Sequence, residues 1–497
     1  MTPRMPTASA TVAPAALDLR PILYALGILV SMLGTGMAVP ATVDLLSGHP
    51  GWPAFVIALA VTVTVGGMMA LAARGTGDKL TLRQAFLLTA LAWIVLPAFA
   101  AIPLAFSKLG LSYTDAYFEA MSGLTTTGAT VISGLDDAPP GLLMWRAILQ
   151  WLGGIGIVVM AVAVLPMLQV GGMQLFRMES SDTSEKILPR AAQISVAILG
   201  LYLGLTALCT LCLILAGLNI FDAIAHAMTT IATGGFSTRD GSVGHFDNGA
   251  VDMIVLTFMI VGSMPFVLYL QALRGRPLAL WRDEQARTFL AVILFLTAGT
   301  CLWLVVWLDF TPWQAFRFGS FNIVSIMTGT GYATTDYGAW GSFSLTLFFL
   351  VMLIGGCAGS TSCGIKIFRF QVLFKSLGCW LRAMVHPNGV FIPRYNGRPI
   401  AEDVQTSVMT FLVFFLGCMV ILAFALALTG LDWMTAFSGA ATAMANVGPG
   451  LGETIGPAGN FETLPDSAKW LLSFGMLLGR LELFTVLVML MPSFWRG

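Results

Sequence analysis

Ten apolar runs divide this chain, at residues 21–46, 52–73, 85–107, 141–168, 190–217, 249–273, 287–308, 341–375, 404–429 and 468–491. Each can carry the roughly 20 apolar residues that a helix needs to cross a hydrocarbon core about 30 Å thick. Lipid offers the backbone N–H and C=O groups no partner, so spans of this kind must satisfy themselves as helices, and an all-α polytopic membrane protein is expected. Charge agrees, since only 10% of the 497 residues are charged and 57% are hydrophobic, against about 25% charged in soluble proteins. The net charge is zero, which gives no basis for nucleic-acid binding; membrane lipid is the surrounding partner. The first run is too long for a signal-peptide core and is expected to remain as a span.

Basic residues test the topology independently, because Lys and Arg gather in short cytoplasmic loops. With the N-terminus inside and ten crossings, the cytoplasmic segments hold Arg4, Arg20, Arg74, Lys79, Arg83, Arg177, Lys186, Arg190, Arg274, Arg276, Arg282, Arg287, Lys366, Arg369, Lys375, Arg382, Arg394, Arg398 and Arg496, which is 19 of 25. The exceptions are Lys108, Arg146, Arg239, Arg317, Lys469 and Arg480. Both termini are therefore expected to be cytoplasmic.

Four Thr/Gly-rich turns recur between these runs: residues 122–130 (SGLTTTGAT), 229–238 (TTIATGGFST), 326–334 (IMTGTGYAT) and 443–450 (AMANVGPG). Alignment on Gly128, Gly234, Gly331 and Gly448 spaces them by 106, 97 and 117 residues. From the third run onward the runs pair, and each pair brackets one turn, preceded by a segment too short to cross: 115–124, 221–231, 313–327 and 433–445. The unit is span, short re-entrant helix, extended turn, span. Two crossings per unit give successive units one orientation, hence parallel repeats. The expected architecture is two N-terminal spans followed by four pseudo-symmetric units around a central pore, ten transmembrane helices in all. Its boundaries fall at 1–80 (tail and first two spans), 81–185, 186–283, 284–400 and 401–497.

Extended backbone at membrane depth is tolerated only where protein buries it or water reaches it. Four such segments of one orientation can surround an axis and offer carbonyl oxygens in place of a cation's hydration shell. Glycine reaches positive φ without steric cost, and threonine adds a hydroxyl on a stiff side chain. The aligned cores contain no carboxylate, so neutral oxygens and a monovalent cation are expected rather than Ca²⁺. The short helices would also turn their negative C-terminal ends towards the ion.

With these motifs in view the chain resembles the Trk/Ktr/HKT superfamily of potassium transporters, and within it the ten-span Trk-type membrane subunit of bacteria. The resemblance spans nearly the whole chain and rests on TTTGAT at Thr125, TIATGGFST at Thr230, GGCAGSTSCGIK at Gly355, NVGPGLG at Asn446 and GRLELFT at Gly479. It implies K⁺ uptake across the bacterial cytoplasmic (inner) membrane by a homodimer. It also implies a filter of carbonyls from Thr126, Thr127 and Gly128; Ala232, Thr233 and Gly234; Gly329, Thr330 and Gly331; and Asn446, Val447 and Gly448. Gly128 at the first-turn glycine argues for K⁺, since superfamily members with serine there favour Na⁺. Gly329 in place of a threonine, and Asn446-Val447, make the filter unequal. A Na⁺-permeable or K⁺/Na⁺ coupled carrier is the alternative within transport.

Two features lie beyond the turns. Residues 355–364 (GGCAGSTSCG) interrupt the span after the third turn, and glycine costs about 1 kcal/mol per helical position. Close packing of small residues is the alternative, but an unwound loop fits better, because the run also carries Ser and Thr groups able to line a wet path. The resemblance makes this an intramembrane gating loop, with Gly355, Gly356, Gly359, Ser360, Thr361, Ser362 and Gly364 as its residues. Arg480 is the one basic residue near the middle of an expected span, a costly position unless paired or hydrated. Glu482, two residues on, is on another helix face and is a poor local partner. The resemblance places Arg480 in the permeation pathway as an electrostatic barrier or a partner of the loop.

Four histidines, His49, His226, His245 and His386, form no HExxH motif, and no GxGxxG follows a strand pattern. A polytopic membrane enzyme would need clustered ionisable groups within the spans, and Arg480 stands alone there, so a transporter and not an enzyme is expected. The chain is expected to bind no cofactor of its own beyond K⁺. The resemblance implies a separate cytosolic regulatory ring carrying a nucleotide such as NAD or ATP. The basic loop at 366–398 could dock it or serve only as a topology signal.

Overall fold

The computed structural model describes residues 17–75, 80–163 and 187–496. Arg4, Lys79, Arg177, Lys186 and the boundary at 185/186 lie outside them. Among the described residues seven helices are long and apolar enough to cross a membrane: Arg20–Leu46, Trp52–Ala72, Arg83–Ala105, Pro140–Met160, Gln193–Leu215, Glu284–Trp307 and Glu402–Ala427. The other three apolar runs are helical but broken. Gly249–Gly262 and Phe266–Leu273 meet at 92° around Pro265, whose missing N–H and fixed φ disfavour helix continuation. Run 341–375 splits into Ser342–Leu353 and Ile367–Val385. Run 468–491 splits into Asp466–Arg480 and Phe484–Leu490. The broken spans are thus the second helices that follow the second, third and fourth turns.

The four short helices are Tyr113–Leu124, Ile220–Ile231, Pro312–Met327 and Trp433–Ala445. Every one starts on a side-chain cap. Ser112, Asn219, Thr311 and Asp432 accept from the amides of Asp115, Asp222, Gln314 and Thr435, satisfying a donor that a helix start otherwise leaves without a partner. Helix Pro140–Met160 is the interior one, with 72% of its apolar window buried against 22% for Trp52–Ala72. Arg20–Gly36 and Trp52–Ala72 pack through small residues. A Cβ on Gly27 would stand 2.6 Å from the Gly66 carbonyl, the close backbone approach expected where lipid removes the hydrophobic drive for helix pairing.

Candidate functional site

Each short helix ends in the same backbone motif. Thr126, Thr233, Gly329 and Asn446 take positive φ of 52, 49, 74 and 51°. The next residue donates its N–H five residues back: Thr127 to Ser122, Gly234 to Thr229, Thr330 to Ser325 and Val447 to Thr442. This is the left-handed helix stop in which a six-to-one bond satisfies an orphan carbonyl. A second left-handed residue follows at once, Gly128, Gly235, Gly331 or Gly448, with φ of 86, 78, 81 and 111°.

This geometry corrects the sequence alignment in the second turn by one residue. Gly235, not Gly234, matches Gly128, and the equivalent trio is Thr233, Gly234 and Gly235. Ala232 is a right-handed C-cap with φ −72°, like Thr125 at −74° and Thr328 at −78°, and belongs to the end of the helix. Two adjacent glycines made the register ambiguous in sequence; only the bonds of Thr233 and Gly234 decide it.

The turns close a ring in chain order. A Cβ on Gly128 would strike the carbonyl oxygen of Gly234, one on Gly235 that of Thr330, and one on Gly331 that of Val447. On Gly448 it would come within 2.9 Å of the Thr127 oxygen, which returns the circuit to its start. Glycine is needed at these four positions on both counts, left-handed backbone and lack of room. Asn446 adds a side-chain link, its Nδ2 donating to Thr127 Oγ1 at 2.9 Å.

Buried carbonyls nearly always have a partner. Here the carbonyl oxygens of Thr126, Thr127 and Gly128, of Thr233 and Gly235, of Gly329, Thr330 and Gly331, and of Asn446, Val447 and Gly448 receive no hydrogen bond from the described residues. Gly234 is the exception, accepting from Gln150 Nε2. A ring of free, neutral oxygens in a buried setting is chemically a site for a desolvated cation.

Carboxylates and cations brace the ring on the side where the turns leave it. Glu119, fully buried in the first short helix, accepts from Arg146 Nε at 2.7 Å, from Thr130 Oγ1 at 3.0 Å and from the Val131 amide at 2.9 Å. Arg146 also donates to the Ser237 carbonyl at 2.7 Å and lies 4.1 Å over the Phe236 ring, so it joins the first turn's exit to the second's. Arg317 pairs with Asp252 at 2.6 Å, Arg239 with Asp222 at 3.0 Å and Lys469 with Asp115 at 2.5 Å. Apart from Lys108 and Arg480, the exceptions to the positive-inside pattern are thus members of carboxylate pairs. The acidic partners Glu119, Asp222 and Asp252 were missed in sequence; the misplaced cations were the available signal.

Residues 355–364 form a compact loop against the left-handed ends of three turns. Its mouth is closed by Gly355 N–H donating to Ile365 O at 2.9 Å. Thr361 Oγ1 accepts from Thr233 Oγ1 at 3.2 Å and donates to the carbonyls of Ile231 and Gly262. Cys363 Sγ faces Thr126 Oγ1 at 3.9 Å, and its amide N lies 3.5 Å from a Cβ built on Gly329. The bend of the second unit's broken helix holds the loop from below: Cys357 N–H donates to Ser263 O and Phe266 N–H to Gly359 O, both at 3.0 Å. The Gly356 N–H donates to the Ser362 hydroxyl and the Ser360 hydroxyl donates to Cys357 O, while Gly359 and Gly364 supply φ of 74 and 72°. An unwound loop, rather than close helix packing, is therefore what the small-residue run builds.

Arg480 is 1% exposed and bonds through Nη1 to Cys363 Sγ and through Nη2 to the Gly153 carbonyl at 2.9 Å. Its Nε has no partner among the described residues. Glu482 turns away to pair with Arg369, and Lys366 donates to Ser362 O. Three buried cations and one carboxylate thus surround a cavity of about 20 Å³ beneath the loop, room for about one water molecule. Helix Asp466–Arg480 stops there because Glu482 and Leu483 both take positive φ.

Four capped short helices, four left-handed turns closed into a ring of free carbonyls, and long apolar helices outside them define a polytopic membrane protein built to handle a cation. Comparison with known proteins agrees. The model of the TrkH family, described as a cation transport protein, matches residues 51–496. The chain is 46% identical to the Trk system potassium uptake protein TrkI of Halomonas elongata, over 96% of this chain and 97% of that one. It is 38% identical to the Trk system potassium uptake protein TrkH of Escherichia coli K12, over 96% and 99%. The crystal structure of the potassium transporter TrkH from Vibrio parahaemolyticus superposes with a TM-score of 0.90 at 37% identity, covering 97% of this chain and all of that one. The chain belongs to the TrkH family.

Proposed function

We propose that this protein takes up K⁺ across the bacterial cytoplasmic membrane through the ring of turns, as the translocating subunit of a Trk-type system. The observation that carries the reading is the closed ring in which eleven of twelve carbonyls take no donor from the described residues, Gly234 being the exception. Neutral oxygens suit a monovalent ion, and the relatives named above are potassium uptake proteins. The selecting oxygens are those of Thr126, Thr127 and Gly128; Thr233, Gly234 and Gly235; Gly329, Thr330 and Gly331; and Asn446, Val447 and Gly448.

Flux is controlled by the loop at 355–364 and by Arg480. Their direct contact, and the contacts of Thr361 and Cys363 with the turns, support this role. In the same reading the three broken helices count as crossings, giving ten spans in two leading helices and four units, with both termini cytoplasmic. The protein works as a homodimer under a cytosolic ring that binds NAD or ATP, docked on the basic segment 366–398. Growth at low external K⁺ of a bacterium stripped of its uptake systems tests the function. Rescue by this chain, alone or with its cytosolic subunit, is expected; failure under both conditions overturns the reading.

A further inference from the structure

At the ring position shared by residues 127, 234, 330 and 447 the chain carries Thr, Gly, Thr and Val. Only the second turn lacks a side chain there, and its backbone does not require glycine, because Gly234 is not among the positive-φ residues. The reason is Gln150, a fully buried residue of helix Pro140–Ala163. Its Nε2 donates to the Gly234 carbonyl and its Oε1 accepts from the Phe236 amide at 2.9 Å. A Cβ on Gly234 would fall on this carboxamide, 2.8 Å from Nε2.

We propose that Gln150 is a specificity-determining residue that holds one corner of the ring open against the smaller Na⁺. This rests on the reading of the ring as a K⁺ filter. A carbonyl oxygen has two lone pairs, and at Gly234 one is committed to Gln150. The amide is anchored at its other end to Phe236 and on a helix interior to the protein, so the Gly234 oxygen is tethered outward. A K⁺-sized ion can be met where the oxygen stands. Na⁺ needs all four oxygens at this level to move inward, and the tethered one must give up its hydrogen bond to do so. Thr127, Thr330 and Val447 carry no such tether.

The test uses purified protein in liposomes, with radioactive rubidium uptake measured against rising Na⁺. Gln150→Leu and Gln150→Met remove the donor; Gly234→Ala displaces it by occupying its place. Each single variant is expected to raise the potency of Na⁺ as a competitor about fivefold to tenfold, the worth of about one net hydrogen bond, read as a ratio to K⁺ potency on whatever rubidium uptake the variant retains. The Gln150→Leu/Gly234→Ala double variant is expected to add nothing further, as for two changes that break one interaction. Wild-type discrimination in the single variants overturns the proposal, even where transport rate or yield falls, as do effects that multiply in the double variant. If Gln150→Leu does not fold, Gly234→Ala leaves residue 150 intact and decides the matter. A wild-type protein that carries no rubidium overturns instead the filter reading beneath it.

Discussion

Gly235→Ala is the sharpest perturbation of the ring, because the structure assigns it a role that alignment gives to its neighbour. Two costs combine. At φ 78° an L-residue loses about 1–2 kcal/mol relative to glycine. Its Cβ would also collide with the Thr330 carbonyl oxygen, a backbone atom that no rotamer change can clear, and overpacking of this kind costs about 1–3 kcal/mol. Together about 2–5 kcal/mol must come from parting the second turn from the third. If only the closed ring conducts, its population and the rubidium flux fall at least about 30-fold. The assay is initial uptake into proteoliposomes with protein amount matched by blot. Gly331→Ala, which meets Val447 in the same way, should lose flux similarly, whereas Gly234→Ala meets the Gln150 carboxamide and no backbone atom among its nearest contacts and should lose less. Wild-type flux in Gly235→Ala, or a greater loss of flux in Gly234→Ala, would refute the reasoning.

Three further outcomes follow from the surroundings of the ring. Arg480→Ala should raise flux, because it removes a buried positive charge bonded to Cys363, which itself faces Thr126 of the first turn, and Arg480→Lys should retain much of that barrier; equal flux in Arg480→Ala and wild type counts against an electrostatic role. Glu119→Gln leaves Arg146 buried without its counter-charge and should cost about 3–5 kcal/mol, seen as a marked drop in melting temperature in detergent. Asp432 caps the fourth short helix, and the hydroxyl and amide of Thr435 hold its carboxyl below the usual range. A depressed folded value means stability that is present above the unfolded pKa and lost as pH falls through the folded one, so Asp432→Ala should cost about 1 kcal/mol at neutral pH and progressively less as the medium is acidified below the unfolded value.

The apolar runs were legible because hydrophobic length is written residue by residue, and the short helices because each precedes a Thr/Gly-rich turn between paired runs and is too short to cross. Arg480 stood out for the same local reason, a charge in an apolar stretch. The register of the second turn was not legible: Gly234 and Gly235 are interchangeable in sequence, and the choice shows only in the backbone bonds of Thr233 and Gly234 and the positive φ of Thr233 and Gly235. Nor were the braces, since Glu119 looks like an ordinary polar residue until Arg146 and the Val131 amide are brought to it. The break at 481–483 was hidden within an apolar run, because it changes φ and not hydropathy, whereas the break before Phe266 had a visible signal in Pro265 that the hydropathy of the run covered.

Competition for rubidium uptake by the purified wild-type protein bears most directly on the ring as a K⁺-selecting site. The account predicts that K⁺ suppresses uptake at concentrations where Na⁺ has little effect, and that Gly235→Ala and Gly331→Ala abolish this K⁺-sensitive component. Equal suppression by Na⁺ and K⁺, or K⁺-sensitive uptake that survives both substitutions unchanged, would contradict it.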